Sequence, residues 1–190
     1  NQGFPFSTAQ YIDLAYAKVL AVRMSYVGEL GWELYIPSFF TRPVFDAIME
    51  EGKKHDLKLV GMQAVNSLRL ETGLRHWESD ITPDDNPYEA GLGFGVKLGK
   101  PDFIGKKALV KQKESRLIRK LVMFTLDDPK IMLYGSEPIY RNGEYISTTT
   151  SGAYGFKVGA AVAMGYLRNR KGITDEWIKE GKYQIMVEGN

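Results

Sequence analysis

The chain has no cysteine. That excludes disulfides, thiolate nucleophiles and cysteine-held metals. It has only two histidines, His55 and His76, far apart and in no metal-ligand spacing. No apolar run approaches the roughly 18 residues that a membrane span needs. The first residues, NQGFPFSTAQYIDLA, lack a basic start followed by an apolar stretch, so they do not read as a signal peptide. A net charge of +2 is too small to argue for nucleic acid. There is no internal repeat, no low-complexity segment and no GxSxG nucleophile elbow.

What remains is a chain of 190 residues, 44% apolar and 12% aromatic, which is enough to bury a core. It begins without methionine and stops at QIMVEGN, inside what reads as a strand. The sequence therefore reads as part of a longer polypeptide.

Two textures divide it. Residues 18–27, KVLAVRMSYV, and 32–36, WELYI, read as two strands of a hairpin joined through GELG. Thr41 reads as a helix cap with Pro43 in the first turn. Val44, Phe45, Ile48 and Met49 share a face of that helix, which should end near His55. A second helix is expected over 61–73, with Ala64 and Leu68 inward, Arg69 on another face and Gly73 at its end. Residues 79–88 are turn-rich, GLGFGVKLG at 91–99 is loop and short strand, and 104–114 form a short basic helix. From 117 on, LIRKLVMFTL, AAVAMGYL and YQIMVEG read as strands. IYRNGEYIS carries Asn142-Gly143, the strongest short hairpin signal. The expectation is an α+β part over 1–114 and a small antiparallel barrel or sandwich over 115–190.

Candidate chemistry is sparse at this level. GLGFG does not fit a dinucleotide fingerprint in spacing or context. Asp80, Asp84 and Asp85 lack the spacing and closing glutamate of a calcium loop. The hydroxyls at 148–151 read as a strand. Between 97 and 120, nine basic residues stand against two acidic ones. Such a run is either a solvated face or an electrostatic funnel for an anion. Glu29, in SYVGELGWELYI, is either a solvated turn residue or a carboxylate aimed by its flanking glycines.

Three stretches in register go further. Tyr26-Val-Gly-Glu-Leu-Gly-Trp-Glu-Leu resembles the YTGE-x-G-x-E turn of the folate-dependent aminomethyltransferases, whose founding member is the glycine cleavage T-protein. Ser67-Leu-Arg-Leu-Glu-Thr-Gly, followed by Asp80-Ile, Asn86-Pro and Glu89-Ala-Gly-Leu, is similar to that family's SLRLEAG…DI…TP-x-EAGL run. Thr150-Ser-Gly with Ala163-Met-Gly-Tyr resembles its TSG…AMGY pair. Trp32, Arg75-His-Trp, Pro83-Asp-Asp, DFIGKKAL at 102–109 and IYRNGEY at 139–145 resemble one branch most, the sarcosine and dimethylglycine dehydrogenases. The regulatory subunit of pyruvate dehydrogenase phosphatase shares that sequence group, which leaves a non-catalytic interaction module as the alternative.

The resemblance implies a ferredoxin-like α/β unit followed by a small antiparallel C-terminal β-barrel. It implies tetrahydrofolate as cofactor, with FAD confined to an N-terminal domain outside this chain. The family's catalytic aspartate lies in an earlier α+β unit, so no catalytic residue is assigned here. Glu29 matches the glutamate that meets the pterin N–H edge, a bidentate, charge-assisted pairing. Phe94 falls where the family has a pocket tryptophan. Lys120 falls where it has an arginine near the folate tail, keeping the charge and losing the fork. Arg69 matches the arginine of LRLE. The family's substrate-contacting arginine, four positions earlier, is Val65 here. Expected partners are folate and the absent FAD and first α+β domains, with no nucleic acid, membrane or metal. The expected compartment is a bacterial cytoplasm or a mitochondrial matrix.

Overall fold

The structure, a computed structural model, describes residues 3–187. Residues 188–190, the end of the expected last strand, lie outside the described residues. The chain forms two compact units, Asn1–Arg69 and Leu70–Asn190. The division falls inside the second helix, well before the change of texture near 114–116.

In the first unit, β1 (Ala9–Leu14), β2 (Ala17–Val22) and β3 (Glu33–Tyr35) form an antiparallel sheet in that order. Ala15 and Tyr16 join β1 to β2 with φ of 47° and 66°. Two left-handed residues match the twist of a two-residue hairpin. Neither is Gly or Asn, so the hairpin carries no sequence signature, and β1 was not expected. β2 and β3 pair as the expected hairpin, but the loop between them runs over 23–32 rather than GELG alone. Alternation along β2 turns Ala17 and Val19 inward, where they pack with Val44 and with half-buried Ile12, Leu14, Leu34 and Ile48.

Val44 lies on α1 (Thr41–Gly52). Thr41 is the first helical residue rather than the cap. Phe40 occupies the cap position and no side chain bonds there. Phe45, expected inward, is 44% exposed. The helix ends at buried Gly52, where a Cβ would stand 2.5 Å from Leu57 Cδ2.

Helix α2 (Met62–Glu71) lies where the pattern places it. Its buried face differs from expectation. Ser67, Arg69 and Leu70 are buried, while Ala64 and Leu68 are half-buried. Arg69, expected on another face than the apolar stripe, is among the buried residues. Its Nε and Nη2 donate to Asn66 Oδ1 at 2.9 and 2.6 Å, which offsets part of the desolvation.

The second unit is built on one antiparallel sheet in the order β4-β7-β6-β5-β8. Its strands are β4 (Arg119–Thr125), β5 (Pro138–Arg141), β6 (Glu144–Gly155), β7 (Ala160–Arg168) and β8 (Tyr183–Ile185). Asn142 and Gly143, at φ of 53° and 82°, turn β5 into β6 as the Asn-Gly signal requires. β6 carries a register shift between Thr149 and Ser151. Seven consecutive residues of β7, Ala161–Leu167, are buried. One core joins Leu70, Leu121, Val162, Met164 and Tyr166. A second joins Leu133, Ala161 and Ala163, with Phe124, Leu126, Ile131, Ile185 and Val187 packed against it.

Two short helices flank the sheet. Helix α3 (Lys106–Glu114) is the expected basic one. Helix α4 (Asp175–Lys179) was not expected, and its cap is Thr174, whose hydroxyl accepts from Trp177 N at 3.1 Å. The stretch 91–99 holds no strand, only a 3₁₀ turn at Gly93–Gly95. The α+β class and the antiparallel C-terminal half agree with the sequence reading.

Candidate functional site

Within the second unit, the Asp80-Ile, Thr150-Ser-Gly and Ala163-Met-Gly-Tyr parts of the resemblance meet in space. Asp80 sits at their centre and is 1% exposed. Its carboxylate accepts from His76 N at 2.8 Å and from the Thr150 hydroxyl. Its carbonyl accepts from the Tyr166 hydroxyl at 3.0 Å. Ser79 Oγ and Ser151 Oγ stand 3.4 Å apart. The Asp80-Ile stretch is thereby tied to both Thr150-Ser-Gly and Ala163-Met-Gly-Tyr.

The remaining signature residues fix backbone as well. Glu71 Oε1 accepts from Lys157 N at 2.6 Å and Val158 N at 3.1 Å, holding the turn from β6 into β7. Asn86 Oδ1 accepts from the amides of Tyr88 and Glu89, each at 3.0 Å. Glu89 O accepts from Leu121 N at 2.8 Å and places EAGL against β4. Arg75 Nε donates to Ala90 O at 3.0 Å.

Beside this network lies a cleft of about 950 Å³. Its walls come from the 79–89 loop, the start of β4, β6, and the turn after β7. Arg119 is its central cation. The guanidinium pairs with Asp85, stands 3.9 Å from Glu89 and lies 3.7 Å from the centre of the Tyr166 ring. Arg168 and Arg170 also face the cleft. Burial raises the pKa of Asp85. Hydrogen bonds from Thr82 N and Oγ1 and the charge of Arg119 outweigh it, so the carboxyl stays below its ordinary value. Burial, then the charge of Asp85, pushes the Tyr166 phenol above its ordinary value. Tyr166 therefore remains a neutral donor to Asp80. Sequence reasoning missed Arg119 as an individual residue, because it counted only as one charge in the basic run.

Neither Phe94 nor Lys120 lines this cleft. Adjacent strand residues point to opposite faces, so Lys120 turns away from the side that Arg119 takes. Its Nζ bonds Asp175 Oδ1 at 2.8 Å. Phe94 is 79% exposed on the Gly93–Gly95 turn. In the first unit, Glu29 is exposed on the loop after β2, following Gly28 at φ 72°. Arg69 is 2% exposed on α2. Of the basic run, Lys106 Nζ bonds two loop carbonyls, Lys100 O and Pro101 O. Lys107, Lys111 and Lys113 are exposed on α3.

Among the described residues, no group of three or more His, Cys, Asp or Glu is arranged to hold a metal ion. No described helix is long and apolar enough to cross a membrane.

Comparison with known proteins places these features. The family model for the GCVT N-terminal domain matches residues 1–100, and that for the glycine cleavage T-protein C-terminal barrel domain matches 119–190. Human mitochondrial sarcosine dehydrogenase is 42% identical over 97% of this chain and 20% of its own length. Human mitochondrial dimethylglycine dehydrogenase is 41% identical over 86% of this chain and 19% of its own. The chain thus spans about a fifth of the length of these curated relatives. The crystal structure of the glycine cleavage system aminomethyltransferase T from Bartonella henselae superposes with a TM-score of 0.77 at 28% identity, over 88% of this chain and 46% of that one. The chain belongs to the glycine cleavage T-protein family.

Proposed function

We propose that this chain is part of a tetrahydrofolate-dependent domain that transfers a one-carbon unit, within a longer flavoprotein dehydrogenase of N-methylated amines of the sarcosine or dimethylglycine type. The observation that carries the proposal is the Asp80 network, which unites the DI, TSG and AMGY stretches in one unit. The extent of the likeness to sarcosine dehydrogenase supports that branch of the family.

The accessible groups suit a folate. Glu29 presents a carboxylate on an exposed loop. A carboxylate is the acceptor that the paired N–H groups of a pterin edge require. Phe94 offers an exposed aromatic face for stacking. Lys120 offers a cation for an anionic tail, shared with Asp175. Arg69, being buried, would act by holding α2 in place rather than by contact. Bound folate accepts the one-carbon unit. This chain's part is to bind and orient it, and no residue here is assigned to FAD or to proton transfer. The proposed division is a second α+β unit over 1–114 and a barrel over 115–190. Both relatives named above are mitochondrial. A mitochondrial matrix is the proposed compartment for a eukaryotic host, and the cytoplasm for a bacterial one.

Calorimetric titration of the full-length protein with tetrahydrofolate tests this reading. Glu29→Gln is expected to weaken binding by about 1.5–3 kcal/mol, the scale of a hydrogen bond to a charged group. Its thermal unfolding should stay within about 1 °C of the parent, as for an exposed site. Absence of folate binding in the parent would leave an interaction module without one-carbon chemistry.

A further inference from the structure

The cleft beside the Asp80 network holds charges that the fold does not use. Arg119 and Arg168 stand directly opposite each other on β4 and β7. Directly opposed residues of an antiparallel pair share a face of the sheet, and like charges there repel. Arg119 is drawn out of that repulsion. Its guanidinium pairs with Asp85 and lies 3.7 Å from the centre of the Tyr166 ring. Arg168 has no such relief. Among the described residues, none bonds the guanidinium of Arg168 or that of Arg170, and both arginines line the cleft.

The turn after β7 holds these two cations at the rim. Asn169 N donates to Ile118 O at 2.9 Å, and Lys171 N donates to Asn169 Oδ1 at 3.0 Å. Asn169 Nδ2 donates in turn to Gly172 O at 2.6 Å. The two arginines that flank Asn169 are thus carried on a fixed backbone. Other parts of the wall differ in kind. Ile118, Tyr145 and Ile146 supply apolar surface, and the Asp84 carboxylate bonds no described residue.

We propose that this cleft binds an amino acid with an apolar side chain, its carboxylate held by Arg168 and Arg170 and its ammonium by Asp84. A volume of about 950 Å³ suits an organic ligand. Planar guanidinium forks match a carboxylate. A phosphate dianion fits less well, because Asp84, Asp85 and Glu89 share the cleft and repel a second negative charge. An ammonium on the same ligand turns that repulsion into attraction, and Asp84 is the acid that no arginine has taken. Ile118, Ile146 and the Tyr145 ring give the side chain a surface on which to leave water. None of Glu29, Arg69, Phe94 and Lys120 lines this cleft, so amino-acid binding here does not depend on the groups proposed for folate.

Calorimetric titration of the full-length protein with L-phenylalanine, 3-phenylpropionate and inorganic phosphate tests the site. L-Phenylalanine is expected to bind most tightly and phosphate most weakly. Arg168→Gln should weaken L-phenylalanine and 3-phenylpropionate alike by at least about tenfold, the scale of a lost hydrogen bond between charged groups. Arg168→Lys keeps the charge without the fork and should recover part of that loss. Asp84→Asn should leave 3-phenylpropionate unchanged and remove the advantage of L-phenylalanine over it. Both side chains are exposed, so each variant should melt within about 1 °C of the parent. Phosphate as the tightest ligand, no binding of L-phenylalanine to the parent, or unchanged affinities in Arg168→Gln would overturn the site. An advantage of L-phenylalanine that survives Asp84→Asn would overturn its assignment to an amino acid.

Discussion

Replacing Asp80 by alanine is expected to lower the unfolding free energy of the second unit by about 3–5 kcal/mol, the scale for breaking a buried, charged hydrogen-bond network. The side chain is fully buried, and its carboxylate accepts from His76 N and Thr150 Oγ1. Alanine removes the acceptor of both donors at the wall of the cleft, where Asp80 itself is buried. Asp80→Asn keeps one acceptor oxygen and should cost less than half as much. Thr150→Val removes a single donor while the Asp80 carboxylate keeps His76 N, and it belongs near 1–2 kcal/mol. Urea unfolding followed by far-ultraviolet circular dichroism reads all three. A loss below about 1 kcal/mol for Asp80→Ala would show that the network does not hold the unit together.

This prediction bears on what the sequence motifs mean. SLRLETG, DI, NP, EAGL, TSG and AMGY were legible as a family signature, and it is natural to read such residues as ligand contacts. In the structure most of them fasten backbone. Glu71 holds the turn between β6 and β7, Asn86 closes the loop before Tyr88, and Tyr166 reaches back to Asp80. These partners lie up to 87 residues apart. Spacing along one chain carries no record of such pairings, so only the resemblance could place the residues together. The family is thus recognised largely by how it folds.

Local physics was readable where one dipeptide or one period decides the outcome. Asn142-Gly143 requires two left-handed residues, and the hairpin forms there. The mostly apolar run of β7 is that of a strand buried on both faces, and it is one. The first hairpin escaped notice because Ala15 and Tyr16 adopt the same turn without its usual residues. Arg69 was expected on a face away from the apolar stripe and is buried, bonded to Asn66. In the basic run, single charges proved different in kind. Arg119 is locked to Asp85, Lys120 reaches Asp175, and Lys106 secures a loop. A summed charge cannot separate these roles, because strand alternation and loop shape decide which side chain meets an acid.

Arg119→Met is expected to destabilise the second unit by about 3 kcal/mol near neutral pH, because it leaves Asp85 ionised with a side chain only 4% exposed. Thr82 N and Oγ1 still solvate the carboxylate, which keeps the cost toward the low end for an orphaned buried charge. Methionine retains most of the apolar packing on Tyr166 and removes the cation. Arg119→Lys keeps the charge and loses the planar fork and the ring stacking, so it should recover only part of the loss. The pH dependence separates an electrostatic cause from simple repacking. Asp85 titrates below its ordinary 3.8 in the folded protein. Its contribution is therefore complete above that pH and fades as pH falls through the depressed folded value. Without Arg119 the folded carboxyl loses the charge that helps hold it down, so parent and variant should converge in stability as pH drops below about 3.8. A difference that stays constant from pH 7 to pH 3 would assign the effect to packing and remove the ion pair from the account.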